Sequence, residues 1–177
     1  MKLPKYSNGF TLVEIIVVVS IIAIISGGIV PSFFRYIDNQ NLKQAKEQLR
    51  SDLRTIQNRA LTGALSDYMF DMGFEGGPDE PAKYWGVYFQ NGNGTYSSFI
   101  TSRNSSCPPS PISTQAYYTL PSNMKYYGVS RLCLFFSIKN GDITKIPSSA
   151  VDYIEIKPSE SSGSSEKVYF NSAGLIF

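Results

Sequence analysis

The sequence contains no histidine in 177 residues, which removes the commonest general base and the commonest ligand for transition metals. A Ser-His-Asp triad or a Cys-His pair therefore cannot be built. Only two cysteines are present, Cys107 and Cys133, too few for a four-thiolate zinc site. They could form one disulfide outside the cytosol or stay two buried thiols. The composition argues against an enzyme.

Strong charge is also missing. Sixteen basic and fourteen acidic side chains leave a net charge of +2, which gives no reason to expect a polyanionic partner. The distribution is uneven, because residues 1–65 hold eight basic and four acidic residues, whereas residues 66–177 hold eight and ten. The second part of the chain is mildly acidic.

One long apolar run stands near the N-terminus. Ile15 to Phe34 are 20 residues without a charge, and at about 1.5 Å per residue a helix of this length spans the roughly 30 Å core of a bilayer. Lys2 and Lys5 in front of it favour a cytoplasmic N-terminus. Basic residues also follow it closely and favour the opposite orientation: Arg35, Lys43, Lys46 and Arg50.

Glu14 interrupts the apolar sequence "GFTLVEIIVVVSIIAIISGG". A carboxylate near the centre of a bilayer costs about 2.5 to 3.5 kcal/mol, so a cationic partner is expected. No Lys or Arg lies within a helical turn or two of Glu14. A secretory signal cleaved near "ISGG", residues 25–28, leaves this glutamate unexplained. A signal anchor with the glutamate close to the membrane interface is a second ordinary alternative.

The run "GFTLVE", Gly9 to Glu14, resembles the leader junction of type IV prepilins. The resemblance implies that a prepilin peptidase cleaves between Gly9 and Phe10 and that Phe10 becomes an N-methylated terminus. Its ammonium would supply the missing cation, because the glutamate of pilin-like proteins pairs with the N-terminus of an adjacent subunit. A buried charge is tolerable when it is paired in this way.

These features divide the chain into a leader, residues 1–9, a transmembrane and assembly helix, residues 10–34, and an amphipathic continuation, residues 35–65. Pro31 lacks a backbone donor and is expected to kink the helix. Apolar residues recur every three or four positions and predict one face that covers a sheet: Leu42, Ala45, Leu49, Leu53, Ile56, Ala60 and Ala64. Gly63 is a plausible end signal.

Residues 66–177 read as a β-rich globular head. "YWGVYF" and "TYSSFIT" flank "QNGNG", which predicts a hairpin of strands 84–89 and 95–101. Further strands are expected at 116–120, 132–138, 151–157 and 167–170. The predicted fold class is α+β, with a long N-terminal helix packed on a mainly antiparallel sheet.

Two further stretches narrow the resemblance. "LRSDLRTIQNRALTG" and the closing "VYFNSAGLIF" resemble the H-type minor pseudopilins of type II secretion (GspH/FimT-like). This implies a minor subunit at or near the tip of a pseudopilus or type IV pilus, with an extracytoplasmic head and an inner-membrane anchor. The implied partners are prepilin peptidase, other pilin-like subunits and the inner-membrane assembly platform, with no cofactor. The related subunits that bind DNA carry an Arg-rich C-terminal loop. Nucleic-acid binding is not expected for this chain, because its C-terminal "NSAGLIF" contains no Arg or Lys.

Two further features are weaker candidates, one for a calcium site and one for a disulfide. Carboxylates around three glycines could bind calcium, although the spacing is not that of an EF-hand and a solvated loop is the simpler reading: Asp71, Glu75, Asp79 and Glu80. A Cys107–Cys133 disulfide would add roughly 3 to 4 kcal/mol on the chain-entropy model.

Three rival functions stay open. A major pilin would polymerise alone, and a membrane-anchored extracytoplasmic binding protein would never be cut after Gly9. A Ser-Lys hydrolase ranks last, since no Ser-x-x-Lys sequence suits it.

Overall fold

The computed structural model describes residues 9–63, 81–108, 114–121, 123–159 and 164–177. The chain divides into two compact units, Met1–Asp38 and Asn39–Phe177. One helix, α1, runs from Leu12 to Leu61 and contributes to both units. It continues through Pro31, and the kink expected there stays a prediction.

The N-terminal part of α1 carries the apolar run. Within the described residues, no helix combines the length and apolar composition that a membrane span requires. The span predicted for residues 10–34 therefore stays a prediction.

The second part of α1 shows the predicted amphipathic face. Six positions of the stripe are buried, with at most 3% of each residue exposed: Leu42, Ala45, Leu49, Leu53, Ile56 and Ala60. Ala64 lies outside the described residues. The helix ends at Leu61, and Gly63 adopts a φ of 63°, where its N–H donates to the carbonyl of Ala60. A glycine in this left-handed conformation is a common helix terminator, as predicted.

Eight strands are described, and every pairing between them is antiparallel. One sheet has the order β3-β2-β1-β5-β6 and the other the order β4-β7-β8. The bounds are β1 Tyr84–Gln90, β2 Thr95–Thr101, β3 Thr114–Thr119, β4 Met124–Tyr127, β5 Arg131–Ser137, β6 Ile143–Ile146, β7 Tyr153–Pro158 and β8 Glu166–Tyr169. The predicted α+β class and the first hairpin are confirmed. The short strands β4 and β6 were not predicted.

A single core joins the helix to both sheets. The apolar stripe of α1 packs with inward side chains of the larger sheet, such as Trp85, Val87 and Leu134, and of the smaller sheet, such as Ile154 and Val168. These side chains alternate along their strands with residues on the opposite face. Burial of this one stripe therefore stabilises both sheets at once.

The outer face of the larger sheet carries a second, smaller cluster, formed by Phe99, Cys133 and Phe135. The ring of Phe99 lies over Gly86, where a Cβ atom would come within 2.2 Å of it. Cys107 and Cys133 form a disulfide with a Cα–Cα distance of 5.5 Å across 26 residues of sequence. The bond ties the segment after β2 to β5.

Polar contacts fix the position of the helix on the sheets. The Tyr96 hydroxyl donates to the Asp52 carboxylate at 2.5 Å. The Gln57 amide donates to the carbonyls of Gly141 and Gly174, at 3.1 and 2.7 Å. Each contact joins the helix to a distant part of the chain, so the helix register is specified by hydrogen bonds as well as by packing.

Gly174 allows a test of the close packing between Gln57 and the loops at Gly141 and Gly174. Its φ is 85°, and an added Cβ would lie 2.6 Å from Gln57 Nε2 and 2.7 Å from the Gly141 carbonyl. Gly92 has a similar φ of 79° but open space around it. We expect Gly92→Ala to lower the free energy of unfolding by about 1 kcal/mol through backbone strain. Gly174→Ala should lose about 1 to 3 kcal/mol more through overpacking.

Thermal or urea unfolding of the full chain in detergent measures both variants. Equal losses would show that the contact between Gln57 and the loop at Gly174 does not constrain the fold.

Two core tyrosines predict the response to alkali. Burial raises the pKa of Tyr126 to about 12, against a smaller opposite effect of a backbone hydrogen bond from Val129. Burial, followed by the hydrogen bond to Asp52, raises the pKa of Tyr96 well above its usual value. The folded state thus holds these protons more tightly than the unfolded state, so stability is full below pH ~10 and falls as the pH rises above it.

For Tyr126 the loss should extend from about pH 10 to about pH 12. Replacing it by Phe should reduce the slope of unfolding free energy against pH by about 1.4 kcal/mol per pH unit. Tyr117→Phe is the control, since this ring is 79% exposed. An unchanged slope in Tyr126→Phe would contradict the assignment.

Candidate processing and assembly site

Gly9, Phe10 and Thr11, directly before α1, form an open peptide segment. Gly9 and Phe10 are exposed, and Phe10 has 79% of its surface accessible. A Cβ atom at Gly9 would meet nothing within 4 Å. The bond between Gly9 and Phe10 lies outside the helix, which begins at Leu12. A peptidase can thus reach this bond without unwinding regular structure.

Thr11 caps the helix that follows. Its hydroxyl accepts a hydrogen bond from the backbone N–H of Glu14 at 3.3 Å, and its carbonyl accepts one from Ile15 at 3.3 Å. Thr11 and Glu14 have the spacing of a capping box, in which Ser or Thr precedes Glu or Gln by three residues. The sequence signal for this cap is T-x-x-E, Thr11 to Glu14. Glu14 therefore has a local structural role available to it.

The charge of Glu14 has no ionic partner among the described residues. Glu14 is exposed and makes no ion pair in the part of the chain that the structure describes. A carboxylate in the first turn also interacts favourably with the helix dipole. The structure thus presents Glu14 at the start of the helix with its charge available to another group.

The surface beyond Glu14 is apolar on every side. From Leu12 to Ile25, each large apolar side chain is 48% to 78% exposed. Five of them are consecutive, Ile15 to Val19, so together they cover more than one turn of the helix. A helix that is apolar all round is ordinarily buried in lipid or among other helices. The chain itself does not provide that cover within its described residues.

Of the other two predicted sites, the structure describes the disulfide but not the calcium candidate. Cys107 and Cys133 are bonded to each other. The carboxylates proposed as a calcium site, Asp71, Glu75, Asp79 and Glu80, lie outside the described residues. Elsewhere in the described chain, no three His, Cys, Asp or Glu residues come together as a metal site.

Comparisons with known proteins agree with this location of the site. Residues 4–30 match the family model described as the prokaryotic N-terminal methylation motif. No curated protein sequence matches the chain. Among solved structures, the type IV minor pilin FimU of Pseudomonas aeruginosa strain PAO1 is similar over 80% of this chain and 90% of that one, with 13% identity and a TM-score of 0.46. That likeness is too distant to carry an argument about function.

The methylation motif contains Gly9, Phe10 and Glu14, which are all exposed at the start of α1. Over residues 4–30 the chain is therefore similar to proteins that carry the prokaryotic N-terminal methylation motif.

Proposed function

We propose that the protein is a minor pilin or pseudopilin subunit. Prepilin peptidase removes residues 1–9, and the mature chain is assembled at or near the tip of a type II secretion pseudopilus or a type IV pilus. The observation that carries the proposal is the methylation motif at residues 4–30, which includes the start of a helix whose apolar surface is exposed on all sides from Leu12 to Ile25.

Accessibility of the Gly9–Phe10 bond supports the first step. The bond lies two residues before the helix, and among the described residues a Cβ atom at Gly9 would meet nothing within 4 Å. Cleavage creates an α-amine on Phe10, which is protonated at neutral pH and below. Methylation of this amine leaves its positive charge in place.

The charge at Phe10 gives Glu14 its partner. A carboxylate that moves from water into an apolar environment is stable only when it is paired. Because Glu14 has no ion pair within its own described chain, pairing with the terminal amine of a neighbouring subunit would satisfy both charges. Such a pair would also select one axial register between adjacent helices.

The exposed apolar surface of α1 suits two environments in succession, the lipid bilayer and a bundle of helices. We infer that residues 10–34 are held in the inner membrane before assembly and lie among the helices of neighbouring subunits afterwards. Lipid and apolar helices solvate this surface equally well, so packing and the Glu14 ion pair decide the exchange. The inner-membrane assembly platform would transfer the subunit between the two.

The disulfide supports an extracytoplasmic head. Disulfides persist in the periplasm and at cell surfaces and are rare in the cytosol. The Cys107–Cys133 bond lies in the unit Asn39–Phe177, so this unit belongs on the oxidising side of the membrane. The leader with Lys2 and Lys5 then stays on the cytoplasmic side, where the peptidase cleaves.

Two alternatives remain. A major pilin would form long fibres by itself, whereas a minor subunit requires other pilin-like chains. A membrane-anchored extracytoplasmic binding protein would stay uncleaved and monomeric. Electron microscopy of the chain expressed alone with peptidase distinguishes a major pilin, which forms long fibres, from a minor subunit, which does not. The mass measurement below distinguishes the uncleaved binding protein from both.

The intact mass of the membrane-extracted protein tests processing. Co-expression with prepilin peptidase should remove residues 1–9 and add one methyl group, and Gly9→Val should block both changes. Gly27→Val is the matched control, because a Cβ at either glycine meets nothing within 4 Å. A chain that keeps its full mass, or that is cut near Gly28, would overturn the proposal.

The role of Glu14 is tested with Glu14→Gln. Glutamine fits the third helical position of a capping box as well as glutamate does, so folding and cleavage should be unchanged. Loss of the charge should reduce incorporation into filaments by on the order of 100-fold, as expected when a buried ion pair loses a partner at about 3 kcal/mol.

The control is Glu47→Gln, on the same helix and 65% exposed. Filament incorporation is measured by shearing and immunoblotting with the remaining pilin-like subunits present. Normal incorporation of Glu14→Gln would restrict Glu14 to its capping role.

A further inference from the structure

Exposed apolar side chains gather at one edge of the smaller sheet. Tyr169 is 42% exposed, Leu175 62% and Phe177 56%. Phe177 lies beside β8, because the backbone N–H groups of Tyr169 and Phe177 each donate to the carbonyl of the other residue. The C-terminal residues thus extend the smaller sheet beyond β8.

Alternation places these side chains on the face opposite the core. Ile154, Val168 and Ile176 point inward and are buried, so their neighbours along each strand point outward. Tyr153 is opposite Tyr169 in the register, with ring centroids 5.6 Å apart. The rings of Tyr169 and Phe177 are nearly parallel, with centroids 5.9 Å apart. Three aromatic rings therefore form a continuous row across the outer face.

Lysines accompany this row. Strand alternation and register place Lys125, Lys157 and Lys167 on the same outer face. Lys167 Nζ lies 4.2 Å from the centre of the Tyr153 ring, and Lys157 Nζ lies 5.6 Å from that of Tyr127. These cation–π contacts hold the ammonium groups next to the aromatic rings. The lysines and the aromatic row make up what we call the aromatic–lysine face.

One carboxylate lies within the face. Glu155 is 3.3 Å from Lys157 Nζ and directly opposite Lys167 in the register. Partial burial acts to raise the pKa of Glu155, but hydrogen bonds from Ser165 and Lys157 outweigh it, and the pKa is lowered overall. With Glu155 ionised, the described side chains of the face comprise three ammonium groups and one carboxylate. The face has an excess of positive charge beside exposed apolar rings.

We propose that the aromatic–lysine face binds the anionic lipid surface of the membrane that anchors the chain. Charge complementarity favours this occupant, since lysines near anionic headgroups are attracted while aromatic side chains enter the interfacial region. A protein partner fits less well, because lysine is depleted at protein interfaces. The inference rests on the membrane anchoring proposed above.

Anchoring makes a small face sufficient. A head tethered to the bilayer meets the lipid surface at a high effective concentration, so weak contacts are populated without a large buried area. Binding would hold the head against the membrane before the subunit is extracted. It would also compete with extraction, because the face must leave the lipid when the subunit enters a filament.

Lysine labelling in nanodiscs tests the proposal with the full chain. The discs contain phosphatidylcholine alone or with an equal amount of phosphatidylglycerol, and acetylation rates are read by mass spectrometry. Acetylation of Lys125, Lys157 and Lys167 should be about threefold slower in the anionic discs at low salt and should recover in high salt. Lys139, exposed on the turn between β5 and β6, should react equally in both.

A double variant identifies the apolar contribution. Leu175→Ser with Phe177→Ser should remove the protection, whereas Tyr117→Ser, on the edge strand β3, should keep it. Equal labelling in the two lipid compositions would overturn the proposal. Protection that appears only with two or more chains per disc would also overturn it, since the occupant would then be a second copy.

Membrane anchoring and lipid binding by the aromatic–lysine face can be tested separately. A chain that does not co-elute with the discs contradicts membrane anchoring. The aromatic–lysine face is then tested by flotation of the same chain with vesicles of the two compositions. Flotation with the anionic vesicles alone, lost in the double variant, supports lipid binding, and its absence contradicts it.

Discussion

Burial of one apolar stripe on α1 is the constraint on which the rest of the head depends. From Leu42 to Ala60 this stripe packs against both sheets, and its residues are almost completely buried. No strand pairing joins the two sheets within the described residues, so the helix is their shared support. The hydrogen bonds of Gln57 and Asp52 then fix which turn of the helix faces which loop.

The apolar residues of α1 are arranged differently in the two parts of the helix. From Asn39 onward its apolar residues form one narrow stripe that its own chain covers. From Leu12 to Ile25 its apolar residues face every direction and remain exposed. A single helix thus belongs to a folded head at one end and requires a foreign environment at the other. The exposed end is where the methylation motif lies.

The sequence predicted features with a strong local signal. Seven-residue strands with aromatic and β-branched residues, the "QNGNG" turn and the stripe of α1 were all predictable, because period and turn chemistry are local. The strands β4 and β6 were not; "MKYY" pairs with β7, far away in sequence, and "ITKI" pairs with the preceding strand β5. The cap at Thr11 was visible as T-x-x-E. The aromatic–lysine face was not, because it depends on strand register.

The hydrogen bond between Arg54 and the carbonyl of Ile176 joins residues 122 positions apart. The segment that contains Ile176 also completes the edge of the smaller sheet by pairing with Tyr169 and Phe170. In the proposed topology the leader stays in the cytoplasm and the head crosses the membrane in chain order, so the helix from Asn39 onward would emerge long before this segment. The apolar stripe would stay uncovered during that interval, so the head needs protection from aggregation, or a chaperone, until the whole chain has crossed.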